Sequence, residues 1–128
     1  MQQIKKVLLV DDDPTSTFLA QLLLRKLSTV EHVSVAANGK DALDYLIGSQ
    51  EKGNLPDLIL LDINMPLMDG FEFMDHFQQL PFHNAARVVL LSSSVSSKDL
   101  QKAADYHIRD FINKPLTKEK LSLLMQES

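Results

Sequence analysis

Leu58-Ile59-Leu60-Leu61-Asp62 decides the reading of this chain, and Ile63-Asn64-Met65-Pro66 and Asp69-Gly70 follow it at once. A run of aliphatic residues bounded by turn formers reads as a strand buried on both faces of a parallel sheet. Asp62, at its last position, then stands at the strand's C-terminal edge. In an open α/β sheet that edge is where ligands bind and chemistry is done. The same grammar occurs earlier, where the strand-like run Ile4 to Val10 stops at Asp11-Asp12-Asp13. Two strands that both end in acid put a carboxylate cluster at one edge of one sheet.

Outward from these two runs, apolar strands alternate with amphipathic stretches. Pro14–Leu27 carries Phe18, Leu22, Leu23 and Leu27 at helical spacing, with Pro14 suited to a first turn. His32–Ala37 is a short β-branched run, Asn38-Gly39 a turn signal, and Lys40–Ile47, with Leu43, Leu46 and Ile47, reads as helical. Gly48–Pro56, polar and rich in glycine and proline, reads as a somewhat long surface loop. After Leu58–Leu61 come a helix from about Gly70 to Leu80, a fourth strand over Arg87–Leu91 ending at Ser92, and a polar helix over Ser97–Tyr106. Arg109–Asn113 is a fifth strand, and Thr117–Met125 closes the series as a helix. Five βα units predict a doubly wound parallel sheet with helices on both faces and right-handed connections.

Bulk properties narrow the field. With 128 residues, 45% of them apolar and 23% charged, the chain is expected to form one compact domain over 1–128. A net charge of −4 and a pI near 5.4 give no electrostatic footprint for nucleic acid. Without cysteine there is no disulfide framework and no thiolate metal site, which fits a reducing cytoplasm. The apolar stretch Val7 to Val10 is too short for a signal-peptide core or a membrane span. The expectation is a soluble cytoplasmic protein, monomeric or weakly dimeric, with no membrane or nucleic-acid partner.

Val10-Asp11-Asp12, Leu61-Asp62 with Met65-Pro66 and Asp69-Gly70, Leu91-Ser92 and Asn113-Lys114-Pro115 together resemble the signature of two-component response-regulator receiver domains of the stand-alone, chemotaxis-regulator kind. The likeness runs in order along essentially the whole chain, with Asp62 51 residues after Asp11 and Lys114 22 after Ser92. It implies a flavodoxin-like (βα)5 fold with strand order 2-1-3-4-5. It also implies that Asp62 accepts a phosphoryl group from a sensor histidine kinase or histidine phosphotransfer protein. By the same resemblance Asp12 and Asp62 ligate Mg²⁺ directly, Asp11 acts mainly through water, and the backbone carbonyl of Asn64 is a third ligand. Lys114 would pair with the phosphoryl group, by an often cis Lys114–Pro115 bond, and Ser92 would donate to it while Phe111 turns inward as the switch aromatic. The surface formed by the fourth helix, fifth strand and fifth helix would then change for a downstream protein.

Elementary chemistry agrees with this assignment. A carboxylate is a competent nucleophile towards phosphorus, three carboxylates at one edge call for a hard cation, and a lysine opposite it would stabilise charge on the transferring group. Each residue also has a plainer role. Asp or Asn after a strand is commonly a turn former or helix cap, and Pro14 makes capping the better reading of Asp13. A lysine before proline is commonly solvated, Ser92 opens a serine-rich turn through Ser97, and Phe18, Phe71, Phe73 and Phe77 read as packing. None of His32, His76, His83 or His107 is assigned a role.

Two features depart from the resemblance, and one of them is the length of the Gly48–Pro56 loop, to which no function is assigned. Tyr106-His107 stands where relatives carry a small residue and glycine, which suggests a changed partner surface. Nothing but one helix follows Lys114-Pro115, so no output domain is expected and the domain would be a switch rather than an enzyme acting on other substrates. The first alternative is a small haloacid-dehalogenase-like phosphohydrolase, since Asp11-Asp12-Asp13-Pro14-Thr15 fits a D-x-D-x-T pattern with Asp11 as nucleophile and Asp13 as acid/base. It lacks a late acidic pair, because only Glu119 and Glu127 follow Lys114. The second is a receiver-like module that binds partners without phosphorylation, against which the complete set of Asp, Ser and Lys argues.

Overall fold

A computed structural model describes residues 4–65, 67–93 and 96–126. Pro66 of the Met65-Pro66 pair, Ser94 of the serine-rich turn and Glu127 therefore lie outside the described residues. The elements run β1 (Lys6–Val10), α1 (Pro14–Arg25), β2 (His32–Ala36), α2 (Gly39–Glu51), β3 (Leu58–Asp62), α3 (Gly70–Phe77), β4 (Arg87–Ser92), α4 (Ser97–Asp105), β5 (Phe111–Asn113) and α5 (Lys118–Gln126). The five strands are parallel, in the order β2-β1-β3-β4-β5. This is the doubly wound sheet that the alternation of runs predicts.

The sheet divides the core in two. On one face Leu8, Val10, Ile59, Leu61 and Leu90 pack against α2, α3 and α4 through Leu46, Phe73, Phe77 and Ala103. On the other, Leu9, Leu58, Leu60 and Val89 meet α1 and α5 through Ala20, Leu24, Leu121 and Leu124. Leu58 to Leu61 are fully buried, which is why β3 shows an unbroken aliphatic run rather than alternation. Each such side chain contributes about 1.5–3 kcal/mol of burial.

From β1 the chain winds first to β2 and then to β3 on β1's other side. Such a reversal opens a crevice at the C-terminal ends of the two strands. Register completes the alignment: Val10 is level with Leu61, Asp62 with Leu91, and Ser92 with Asn113. Asp11, Asp62, Ser92 and Lys114 thus reach one rim from four strands.

Several boundaries differ from the sequence reading. Helix α2 begins at Gly39, capped by the Asn38 side chain, and runs through Gly48 to Glu51. Ser49 is buried in its last turn, and the open space around Gly48 demands no side chain there. The expected long loop from Gly48 to Pro56 accordingly shrinks to the residues after Glu51. Strand β5 begins at Phe111, and α3 ends at Phe77 before a short 3-10 turn at His83–Ala85.

The buried face of α1 keeps only part of the predicted set: Leu23 and Leu27 pack half-buried against the core of that face, but Phe18 and Leu22 do not. Phe18 is 61% exposed and Leu22 44% exposed, whereas Ala20 and Leu24 are buried. Ala20 lies about 200° round the helix from Phe18, and its small side chain lets α1 sit close on the sheet. Phe18 is therefore not a core residue; Phe71, Phe73 and Phe77 are.

Gly70 joins α3 to the end of β3. A Cβ there would lie 2.8 Å from the Asp62 carbonyl oxygen and 3.0 Å from Ile63 Cα, both backbone atoms that cannot swing aside. The Gly70 amide also donates to the Ile63 carbonyl at 2.9 Å. Gly70→Ala is expected to cost about 1–3 kcal/mol through overpacking, read as a lower denaturant midpoint. An unchanged midpoint would show that the α3 start can move away from β3 freely.

Candidate functional site

The rim is an acid–base knot closed by Lys114. Its Nζ donates to Asp11 Oδ2 at 2.8 Å and to Asp62 Oδ2 at 3.2 Å. The second oxygen of each carboxylate is also engaged: Asp11 Oδ1 accepts from the Asp13 amide at 3.0 Å, and Asp62 Oδ1 from the Asn64 amide at 3.1 Å. Both carboxylates bend their own loops back over the strand ends, the short Asx-turn geometry available to an aspartate. The Asp11 amide donates to the Ala36 carbonyl (3.0 Å), and the Lys114 amide to the Ser92 carbonyl (2.8 Å). Asp11, Asp62 and Ser92 are buried, whereas Asp12 is exposed.

The electrostatics leave a deficit of positive charge. Asp11, Asp12 and Asp62 each offer a carboxylate oxygen within 4.8 Å of the others, yet among the described residues the Lys114 ammonium is shared between two of them. Burial pushes Asp62 above its ordinary range; Lys114 pulls it back, and the charge of Asp11 adds to the rise. For Lys114, burial disfavours the ammonium, but the hydrogen bond and charge of Asp11, reinforced by Asp62, outweigh it and raise its pKa. A hard divalent cation suits this all-oxygen donor set and would relieve the carboxylate repulsion.

Of the residues singled out from sequence, Asp11, Asp12, Asp62 and Lys114 come together directly. Asn64 contributes its amide to Asp62, and the cis Lys114–Pro115 bond is present. Ser92 ends β4 beside them, and Phe111 lies half-buried in β5 against the core of the α3/α4 face. Asp13 caps α1 instead, accepting from the Thr15 amide (3.0 Å) and the Ser16 hydroxyl (2.9 Å). The Ser16 hydrogen bond, then that of Thr15, hold its carboxyl below the usual range.

The unusual Tyr106 packs inward. Its ring stacks on Phe71 of α3 at 6.0 Å, its hydroxyl donates to Asp75, and Lys102 Nζ lies 4.9 Å from the Phe71 centroid. The Asp75 hydrogen bond, then burial, push the phenol up to about 12, so it stays protonated and bonded at neutral pH. Tyr106 therefore straps α4 to α3, while His107 after it is exposed, at a φ of 60°.

An aspartate-rimmed crevice at the switch point of a 2-1-3-4-5 sheet, closed by a lysine, has the layout of a receiver domain. Residues 7–126 match the response regulator receiver domain family, and the chain belongs to it. Phosphorylation on aspartate by histidine kinases is the general mechanism of receiver domains. A two-component response regulator from Cytophaga hutchinsonii has the same fold with a TM-score of 0.88 at 35% identity, covering 98% of this chain and 97% of that one. Response regulator Rcp1 of Synechocystis is 31% identical over 125 residues, 95% of this chain and 84% of Rcp1. The Mn²⁺-bound form of Rcp1 superposes with a TM-score of 0.75 at 31% identity, covering 96% and 90%. Chemotaxis protein CheY4 of Vibrio cholerae gives 0.81 at 27% identity, covering 97% and 98%. Among the described residues no helix is long and apolar enough to cross a membrane.

Proposed function

We propose that this chain is a single-domain response regulator, 1–128, that takes a phosphoryl group from the phosphohistidine of a sensor histidine kinase or histidine phosphotransfer protein onto Asp62. The observation that carries the reading is Lys114 Nζ held between Asp11 and Asp62 at the end of β3. An Asp62 carboxylate oxygen forms the new P–O bond as the donor's P–N bond breaks. The bonding pair leaves with the imidazole, which takes a proton from solvent. Lys114 stabilises negative charge on the phosphoryl oxygens. Hydrolysis later returns the carboxylate, so the domain catalyses only its own modification and its output is binding.

Asp12, Asp62 and the Asn64 carbonyl would hold Mg²⁺, with Asp11 acting through water; when bound, the ion supplies charge neutralisation for the phosphoryl oxygens. Titration should show Mg²⁺ affinity falling in Asp12→Ala, and undiminished affinity in both Asp12→Ala and Asp62→Ala would remove this site. The cysteine-free composition suits a cytoplasmic setting. The reading as a whole is tested by intact-protein mass: acetyl phosphate with Mg²⁺ should add one phosphoryl group. No mass gain from this donor or from a phosphorylated histidine phosphotransfer protein would leave the phosphorylation-independent binding module.

The switch surface is α4-β5-α5. Ser92, buried at the end of β4, is one residue from level with Asp62, and Phe111 pairs in register with Leu90 on the same strand. Helix α4 buries only Ala103 among its own residues, and sparse apolar anchoring marks an element that moves at low cost. Phosphorylation adds charge and acceptor oxygens that the Ser92 hydroxyl and Lys114 can meet. Ser92→Ala should still take up phosphate but transmit it poorly. Amide shifts with beryllium trifluoride should spread across 96–113 in wild type and shrink there in the variant. Shifts confined to the rim in wild type would leave a plain phosphate relay.

A further inference from the structure

Helix α5 starts against the usual rule for its first turn. Thr117 stands at the cap: its Oγ1 accepts from the Lys120 amide (3.2 Å) and its carbonyl from the Leu121 amide (3.0 Å). A Thr cap is commonly completed by Glu or Gln three residues on, whose side chain returns to the cap amide. Lys120 occupies that position. A cation there also opposes the helix dipole, whose N-terminal end favours anions. Both considerations disfavour a lysine, so its side chain must be offset by something else.

The offset is specific. Lys120 Nζ reaches back past the cap and donates to the Asn113 carbonyl at 2.6 Å and the Pro115 carbonyl at 3.0 Å. These carbonyls flank Lys114 on either side. The Lys114 amide is fixed from the opposite direction by the Ser92 carbonyl. The backbone beneath the Lys114 side chain is therefore held by β4 on one side and by one ammonium on the other.

We propose that Lys120 is a positioning residue for Lys114: by clamping the carbonyls of Asn113 and Pro115 it keeps the Lys114 ammonium between Asp11 and Asp62. Charge-assisted hydrogen bonds are the stronger kind, and displacement by about 1 Å can cost as much as 10²-fold in rate. This rests on the phosphoacceptor reading for its kinetic consequence but not for its geometric one.

Lys120→Glu separates positioning from stability, because glutamate completes the Thr117 capping box while abolishing the clamp. The variant should keep or raise its thermal midpoint, yet label at Asp62 about tenfold more slowly with acetyl phosphate. Its Lys114 ¹⁵Nζ–¹H resonance, sharp in wild type, should broaden into solvent exchange. Lys120→Arg should restore both readouts, since a guanidinium can serve the same two carbonyls. Lys118→Glu, the same charge change at an exposed neighbour, should alter neither. A Lys120→Glu protein with wild-type rate and an intact Lys114 resonance would overturn the proposal, as would equal slowing by Lys118→Glu. Wild-type protein that never labels would sink the phosphoacceptor reading alone, and the Lys114 resonance would still decide this one.

Discussion

Asp62→Asn is expected to abolish phosphoryl uptake altogether, while wild-type protein given acetyl phosphate and Mg²⁺ gains the mass of one phosphoryl group. Asp62 lies at the end of the central strand, with Lys114 on one oxygen and the Asn64 amide on the other, and an amide in its place is no nucleophile. Asp11→Asn should label slowly but still label, because Asp62 and Lys114 remain. The reverse pattern, with Asp11 essential and Asp62 dispensable, would favour the haloacid-dehalogenase-like chemistry. That chemistry also needs an acid/base at Asp13, which instead caps α1 with its carboxyl held below the usual range by Ser16 and Thr15.

The same substitution should stabilise the protein at neutral pH without divalent cations. Burial first, and the charge of Asp11 with it, raise the Asp62 pKa despite Lys114. Between the ordinary value and the raised one the folded state binds more protons than the unfolded state, so stability falls as pH rises through that window. A neutral asparagine side chain at this position carries no such penalty, and a midpoint higher by a few degrees is expected above that window. A lower midpoint for Asp62→Asn at neutral pH would mean that pairing with Lys114 outweighs burial.

Much of this site was legible because the sheet makes it linear. Where a buried parallel strand ends is visible in sequence as an aliphatic run meeting a polar residue, and Val10-Asp11, Leu61-Asp62 and Leu91-Ser92 each show it. Helical faces were less legible. In α1 the small Ala20 outcompetes Phe18 for the sheet, because closeness of approach rather than side-chain size decides which face packs. Gly48 reads as a breaker but is carried inside α2, where its neighbours' packing offsets the cost of one glycine. Lys120 left only an indirect signal, a lysine three residues after Thr117 where a capping box has Glu or Gln. Its contacts run to backbone carbonyls, whose position depends on how β5 turns into α5 and not on any residue type. The Tyr106 strap was half visible: the departure at 106–107 was evident, but its inward direction depends on Phe71 and Asp75 of α3.

Lys114→Met should lose both labelling and stability, and pH should tell the losses apart. The ammonium is what holds Asp11 and Asp62 together at 2.8 and 3.2 Å. Removing one partner of a fully buried ion pair costs about 3–5 kcal/mol. Lys114 keeps 19% of its side-chain exposure, so water recovers part of this, and about 2 kcal/mol is expected. Two facing carboxylates without their cation push Asp62 further up, widening the window in which ionisation opposes folding. The deficit against wild type should therefore be full above that window and close as pH falls towards the ordinary carboxylate value of 3.8. Mg²⁺ should return part of the stability at neutral pH, because it meets the same carboxylates. It should not return the labelling rate, expected to fall about 10²-fold for loss of one preorganised cation. Adding Asp62→Asn to Lys114→Met should recover stability non-additively, the sign of direct coupling. Denaturant midpoints of the four proteins at several pH values measure this. A Lys114→Met deficit that stays constant across pH would place the loss in packing of the lysine stem rather than in the carboxylates it joins.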